Sequence, residues 1–347
     1  MDSVSVVDLF CGIGGLSHGF VKEGFNVVAG IDSDSSCKFA FEANNGARFI
    51  DKEIEDVTNS EIRKLFPRSS TRILIGCAPC SPFSRYTITK TGYKHEKWGL
   101  LRSFAALIDQ TKAHVVSMEN VPALERYGIY REFKRFLEDA GYYVTRYRVR
   151  CADYGVPQTR KRLVLLASKY GDVELLKPTH LENRKTVRAV IGHLPPIDAG
   201  EVSADDRIHL SRRLTDINLR RIKATPAGGG WEDWDEDLIL KCHKKRKGRS
   251  YRSVYGRMTW DDLAPTITTQ CVGLGNGRFG HPEQNRAISV REAALLQTFP
   301  MSYSFVEPKA KPKCDILARQ IGNAVPVRLG VIIARSIKRH LKSHGKI

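Results

Sequence analysis

The sequence predicts an α/β protein: a doubly wound, mostly parallel sheet joined to a smaller, irregular domain. Three observations carry that expectation. From the N-terminus to about residue 170, short apolar runs alternate with segments of helical periodicity, the rhythm of a sheet with helices on both faces. A glycine-rich turn follows the first apolar run directly, where such sheets bind ligands. From Gly171 to Asn285 the rhythm gives way to a stretch rich in Gly, Pro, Arg and Lys.

In order, Val4 to Phe10 is predicted as a strand and Leu16 to Glu23 as a helix stopped by Gly24. Phe25 to Ile31 gives a second strand and Ser36 to Ala43 a second helix. Further strands are predicted at Arg48 to Ile50, Arg72 to Ile75, Val115 to Met118, Tyr142 to Arg150 and Leu163 to Ala167. Helices fall between them at Ser60 to Phe66, Leu100 to Thr111 and Tyr130 to Ala140. In the middle region Gly228-Gly229-Gly230 marks a flexible turn among short strand-like pieces. Helical periodicity returns at Val290 to Gln297, stopped by Pro300. It returns again from Pro326 to Leu341, where Val327, Val331, Ile332, Ala334, Ile337 and Leu341 are spaced to share a face. That last segment is expected to pack back on the first domain, so the boundaries are drawn at 1–170, 171–285 and 286–347.

The chain of 347 residues is 41% hydrophobic and 27% charged, the composition of a soluble globular protein with a full core. No apolar run approaches the roughly 20 residues a bilayer span needs, and Asp8 interrupts the short apolar N-terminus. A cytoplasmic protein with no membrane contact is expected. Eight scattered cysteines read as reduced thiols. Cys77 and Cys80 form a C-x-x-C, but no second pair completes a zinc site, so no metal is expected. The formal net charge of +18 implies a polyanionic partner, nucleic acid first. The run from Lys241 to Arg257 concentrates that charge in Lys241, Lys244, Lys245, Arg246, Lys247, Arg249, Arg252 and Arg257, with no acid among them and with Tyr251 and Tyr255 interleaved for stacking or sugar contacts.

The chemistry centres on Gly76-Cys77-Ala78-Pro79-Cys80-Ser81-Pro82-Phe83-Ser84. A buried strand ends at Gly76, and two prolines fix the backbone on either side of Cys80, as suits a nucleophile. A small hydrophobe in a turn is the bland alternative for a single cysteine. In Asp8-Leu9-Phe10-Cys11-Gly12-Ile13-Gly14-Gly15 the glycines let backbone approach a ligand at a helix N-terminus, though the spacing is not the dinucleotide pattern. Asp32 lies about 20 residues beyond Gly12, where an acid takes ribose hydroxyls. Asp56, after the third strand, is placed to meet an adenine amino group or to serve as a helix N-terminal acid. Glu119-Asn120 closes another strand, facing either a pocket or solvent. Arg160 and Arg162, one residue apart, are expected to share a face.

Together these blocks resemble the DNA (cytosine-5)-methyltransferases. The resemblance rests on the Asp8–Gly15 turn, Pro79-Cys80, Glu119-Asn120-Val121 and Gln158-x-Arg160-x-Arg162. Two late blocks join them: Arg291 to Pro300, and Gln320-Ile321-Gly322-Asn323-Ala324-Val325-Pro326. All occur in the family's order and span nearly the whole chain apart from the basic middle. The resemblance implies the class I S-adenosylmethionine-dependent methyltransferase fold. It also implies transfer of a methyl group from S-adenosyl-L-methionine to carbon-5 of a cytosine flipped from double-stranded DNA. Cys80 would be the nucleophile at carbon-6, Glu119 the group sharing a proton with the base, and Arg162 the contact to the base carbonyl. Asn120 and Arg160 would order the loops, and Pro79 would shape the floor between cofactor and base. Phe10, Gly12, Gly14, Asp32, Asp56, Asn323 and Val325 match cofactor-contacting positions. Residues 1–170 would then be the catalytic and cofactor-binding domain, 171–285 a target-recognition domain, and 286–347 the segment completing the first. The loop from Ser81 to Trp98 would close over DNA, with Ser84 and the Lys/Arg run as phosphate contacts.

Two departures stand out: Ser81 replaces a glutamine common in relatives, and Asp32 a glutamate one methylene longer. A prokaryotic modification enzyme is implied, monomeric, nucleoid-associated, and paired in function with a restriction endonuclease without touching it. A tRNA methyltransferase of the same fold is the nearest rival, but those enzymes carry Cys-Phe-Thr soon after Glu-Asn-Val, where this chain has Pro122-Ala123-Leu124. A catalytically idle DNA-binding homologue is the other, opposed by the intact Cys80, Glu119 and cofactor blocks.

Overall fold

The computed structural model describes residues 4–79, 99–246 and 248–347. They divide into two compact units: the first takes Met1–Tyr154 within the described residues, Lys161–Thr179 and Val325–Ile347, the second Gly155–Arg160 and His180–Ala324. The divisions at 179/180 and 324/325 differ from the expected 170/171 and 285/286, and hydrogen bonds explain why. Past the last strand the chain stays tied to the first unit: Thr145 Oγ1 and Tyr147 OH donate to Val173 O, and Thr179 N–H to Asp153 O. Residues 286–324, in turn, are bound into the second unit by side chains: Arg286 Nε donates to Ile197 O, and Arg291 pairs with Asp206.

The first unit is a seven-stranded sheet in the order β3-β2-β1-β4-β5-β7-β6. Its strands are β1 (Val4–Leu9), β2 (Asn26–Asp32), β3 (Arg48–Asp51), β4 (Thr71–Gly76), β5 (Val115–Asn120), β6 (Tyr143–Arg150) and β7 (Lys161–Ser168). All pairings from β3 through β5 are parallel, while β7 lies antiparallel between β5 and β6. This is the class I methyltransferase topology. The central strands are apolar on both sides because both faces are covered; β6, at the edge, alternates exposed and half-buried residues.

Helices α1 (Gly15–Lys22), α2 (Lys38–Asn45), α3 (Asn59–Lys64), α4 (Gly99–Thr111) and α5 (Gly128–Asp139) follow the strands as expected, within a residue or two. On one face Leu74, Met118, Leu165, Phe104 and Phe133 belong to one buried cluster. The C-terminal helix Val327–Ser343 packs on α1 through two glycines: a Cβ on Gly19 would lie 2.4 Å from the backbone of Gly330. Only a residue without a side chain lets those two helices meet so closely. The whole stretch Cys314–Ser343 is long and apolar enough to cross a membrane by length and composition alone. It is mostly buried, however, and interrupted at Ala324-Val325-Pro326, where helix Cys314–Asn323 ends and the chain passes between units.

The second unit contains no strand among the described residues; the short strand-like pieces expected there form only isolated bridges. Its backbone is held by side chains instead. Arg286, fully buried, makes a two-pronged contact with Glu292 at 2.7 Å on each oxygen and also donates to Ile197 O and Ala287 O. Glu292 also closes the capping box of helix Val290–Leu296, accepting from the N–H of its N-cap, Ser289. Burial alone would raise the Glu292 pKa, but Arg286 outweighs it and holds the carboxyl below its usual value.

Arg257 corrects the reading of the basic run. It is 4% exposed, and its guanidinium donates to the carbonyls of Thr225, Ile222, His281 and Gln284 and to Asn285 Oδ1. It is internal scaffolding, unavailable to a polyanion. Tyr255 is likewise half-buried, edge-on to Trp234 at 5.4 Å, whereas Tyr251 is exposed.

Candidate active site

The site begins where β1 ends. Phe10, Gly12 and Gly14 all take left-handed backbone conformations (φ 59°, 50° and 84°), so the chain coils tightly before α1 starts. Gly14 N–H closes the coil on Cys11 O at 2.9 Å. A Cβ on Gly12 would meet nothing within 4 Å, so the turn is open on that side.

Asp32, at the tip of β2, holds this turn. Its Oδ2 accepts from Gly12 N–H at 2.8 Å and its Oδ1 from Asp34 N–H at 2.9 Å. A carboxylate has about four acceptor positions, so each oxygen keeps one for a ligand hydroxyl. Burial raises the Asp32 pKa against the lowering effect of those two backbone bonds. Asp8 lies under the same turn and went without a role in the sequence. Its Oδ2 accepts from Ser17 Oγ at 2.6 Å, its Oδ1 has no hydrogen bond, and burial pushes its pKa up to about 7. Asp56 is exposed, in the one-turn helix Ile54–Asp56 after β3.

The second half of the site lies at the ends of β4 and β5. Asn120 Nδ2 donates to Ala78 O at 3.0 Å, and its Oδ1 accepts from Val121 N–H, so one side chain ties two strand exits together. Pro79 follows, half-buried. Cys80 and Ser84 lie outside the described residues, as does Lys247. Glu119, 1% exposed, is flanked by two side chains. Arg162 Nε lies 2.6 Å from Oε1, and Cys77 Sγ donates to Oε2 at 2.8 Å. The Arg162 contact is an ion pair without an aligned hydrogen bond, which leaves Oε1 with an acceptor position to fill.

Arg160 and Arg162 do not share a face. The strand β7 begins at Lys161, so two-residue alternation does not extend back to Arg160. Arg160 belongs to the second unit, where its buried guanidinium donates to Ile267 O at 2.9 Å and Ala324 O at 3.4 Å. Gln158 and Gln297 continue that network through Leu296 O and Ile321 O. The late motif blocks, as far as Ala324, therefore belong to the second unit, and Gln297 lies in its interior. Asn323 is exposed at the end of its helix in that unit, while Val325 is buried in the first.

The cations of the middle region are exposed at Lys244, Lys245, Arg246, Arg249 and Arg252. Lys244 pairs with Glu236 at 2.8 Å and Arg252 with Glu232 at 3.5 Å, surface contacts worth little in water.

The sheet order and the polar cluster beyond its central strands define a methyltransferase of the doubly wound α/β class. An Escherichia coli prophage protein, assigned as a DNA modification methyltransferase, shares the fold over 98% of this chain and 100% of its own (TM-score 0.74, 21% identity). The sequence model of the C-5 cytosine-specific DNA methylases matches residues 4–339. The Type II methylase M.HgiDII of Herpetosiphon aurantiacus is 54% identical over 342 residues, spanning 97% of this chain and 96% of that one. The Type II methyltransferase M1.HphI of Haemophilus parahaemolyticus is 29% identical over 96% of this chain and 87% of its own. The chain belongs to the C-5 cytosine-specific DNA methylases, and is a DNA (cytosine-5)-methyltransferase.

Proposed function

We propose that the chain methylates carbon-5 of a cytosine flipped out of a specific double-stranded DNA sequence, using S-adenosyl-L-methionine and a covalent bond from Cys80 Sγ to cytosine carbon-6. One observation carries this reading. A carboxyl buried at a strand end, Glu119, is braced by Arg162 and Cys77, beside an asparagine that grips the backbone two residues before Cys80.

Carbon-5 of cytosine is a poor nucleophile. Addition of the Cys80 thiolate at carbon-6 breaks the ring's aromaticity and moves an electron pair onto carbon-5. Glu119, sharing a proton with the ring nitrogen opposite, favours that addition, and Arg162 contacts the base carbonyl. The cofactor supplies an electrophilic methyl group on a sulfonium. Loss of the carbon-5 proton then returns an electron pair to the ring, and the Cys80 thiolate leaves. Phe10, Gly12, Gly14, Asp32, Asp56, Asn323 and Val325 would hold the cofactor, with Pro79 as the floor between it and the base. The open side of the Gly12 turn and the spare acceptor positions of Asp32 fit a ligand bearing hydroxyls.

The second unit would supply target recognition, with Lys244, Lys245, Arg246, Lys247, Arg249 and Arg252, and Ser84 from the first, on DNA phosphates. By likeness to Type II methylases, the chain would be the modification half of a restriction-modification system. It would act as a monomer at the nucleoid, without contacting the endonuclease.

Labelled S-adenosyl-L-methionine offered with duplex DNA or tRNA tests the reading. Label is expected in DNA; label in tRNA alone, or in neither, overturns it. A 5-fluorocytosine duplex carrying the right site should trap an adduct at Cys80. Cys80→Ala should abolish transfer while cofactor and DNA still bind. Glu119→Gln should slow the single-turnover rate by about 10²–10⁴-fold with little loss of DNA affinity.

A further inference from the structure

Cys77 has no part in the chemistry above, yet its side chain touches the group that does. Its Sγ donates to Glu119 Oε2 at 2.8 Å. The thiol sits on a backbone fixed at both ends: Cys77 N–H reaches Leu9 O at 3.4 Å, and Asn120 holds the carbonyl of Ala78. Gly76, just before it, is pressed so close that a Cβ would lie 2.9 Å from Leu9 O. The strand end therefore cannot drift sideways and carry the thiol off.

What Glu119 gains is a second point of attachment. The last torsion of a glutamate side chain is broad and roughly two-fold. The ion pair to Arg162 sets how far the carboxyl reaches, but without an aligned hydrogen bond it does little to set that torsion. A donor on the other oxygen does. We propose that Cys77 is a positioning residue for Glu119: its S–H pins Oε2 and reserves Oε1, the oxygen with an unfilled acceptor position, for the cytosine. A thiol is a weak donor. It orients the carboxyl without holding it as tightly as a hydroxyl or backbone N–H would. This rests on Glu119 having the role proposed above.

The test compares Cys77→Ala and Cys77→Ser with the wild-type chain, all kept reduced, in single-turnover methylation of duplex DNA. Cys77→Ala loses the donor, and its rate constant at saturating DNA and cofactor should fall roughly tenfold while both binding constants stay within about twofold. Cys77→Ser keeps a donor in place and should recover most of that loss. Two outcomes overturn the proposal: an alanine variant as fast as wild type, or a serine variant as slow as alanine, which would make the residue a matter of packing. Thermal melting of each variant identifies misfolding, and if alanine misfolds, Cys77→Val, close in size to cysteine but without a donor, takes its place against serine and wild type. A wild-type chain that methylates no DNA sinks the parent reading and this one with it. A wild-type chain that does, beside an unaffected alanine variant, sinks this one alone.

Discussion

The two units bury the same kind of backbone by opposite means. In the first, carbonyls and N–H groups are paired along parallel ladders, and the interior is Leu, Ile, Val and Phe. In the second there are no ladders among the described residues, and long side chains do the pairing: Arg257 satisfies four carbonyls and Arg286 two more. A ladder shares its load among many equivalent bonds. A guanidinium concentrates it, so the second unit should be brittle to single substitutions where the first is tolerant.

The largest effect expected is at Arg286. Arg286→Ala leaves the Glu292 charge buried without its partner and should cost about 3–5 kcal/mol. In urea, proteolysis should open the chain within 180–324 first, with the sheet still protected. Simultaneous loss of both units would show that the contrast is false.

A second test is pH. Burial holds His281 neutral, its pKa pushed from 6.5 down to about 4. The unfolded chain then binds the extra proton, so the second unit loses stability as pH falls from about 6.5 to 4, by roughly 3 kcal/mol. Asp8 acts in the reverse sense. Its folded pKa is raised from 3.8 to about 7, so its contribution is full below pH 3.8 and disappears as pH rises through 7, roughly 4 kcal/mol at most. Hydrogen exchange read separately over the two units should show opposite slopes between pH 4 and 7. Parallel slopes would mean that neither group dominates its surroundings, and Asp8→Asn should flatten the first unit's slope.

The smallest effects lie on the exposed cations. Lys245→Ala or Arg249→Ala should leave stability unchanged, weaken DNA binding across all sequences, and each reduce the salt-dependence slope by about 1. A change of sequence preference instead would make either residue a base reader.

The same contrast decides what could be read from the amino-acid order. The first unit's strands and helices were legible because two-sided burial writes continuous apolar runs such as Arg72 to Ile75, and helices there bury a whole face. Helices Asp216–Ala224 and Cys314–Asn323 were not. The first buries one residue of its length, Ile222, and so writes no stripe. In the second, Cys314 and Asp315 blur the start. Arg257 shows a different limit: in a run of like charges, nothing local distinguishes the member that turns inward. Glu119, Asn120 and Arg162 were found through their motifs, and the structure joins them. Cys77 was visible too, as half of a C-x-x-C without the second pair that a zinc site needs, but nothing in that pattern pointed to the Glu119 carboxylate its thiol meets.

The interrupted path of the second unit matters to anyone wishing to reprogram such an enzyme. Because it is assembled from Gly155–Arg160 and His180–Ala324, a transplanted specificity cassette cut at the composition change near Asn285 would strand Arg286 and Glu292 against a stranger's loops. A viable chimaera has to bring both pieces from one parent, Arg160 and its acceptors included, so that the inherited electrostatics arrive intact.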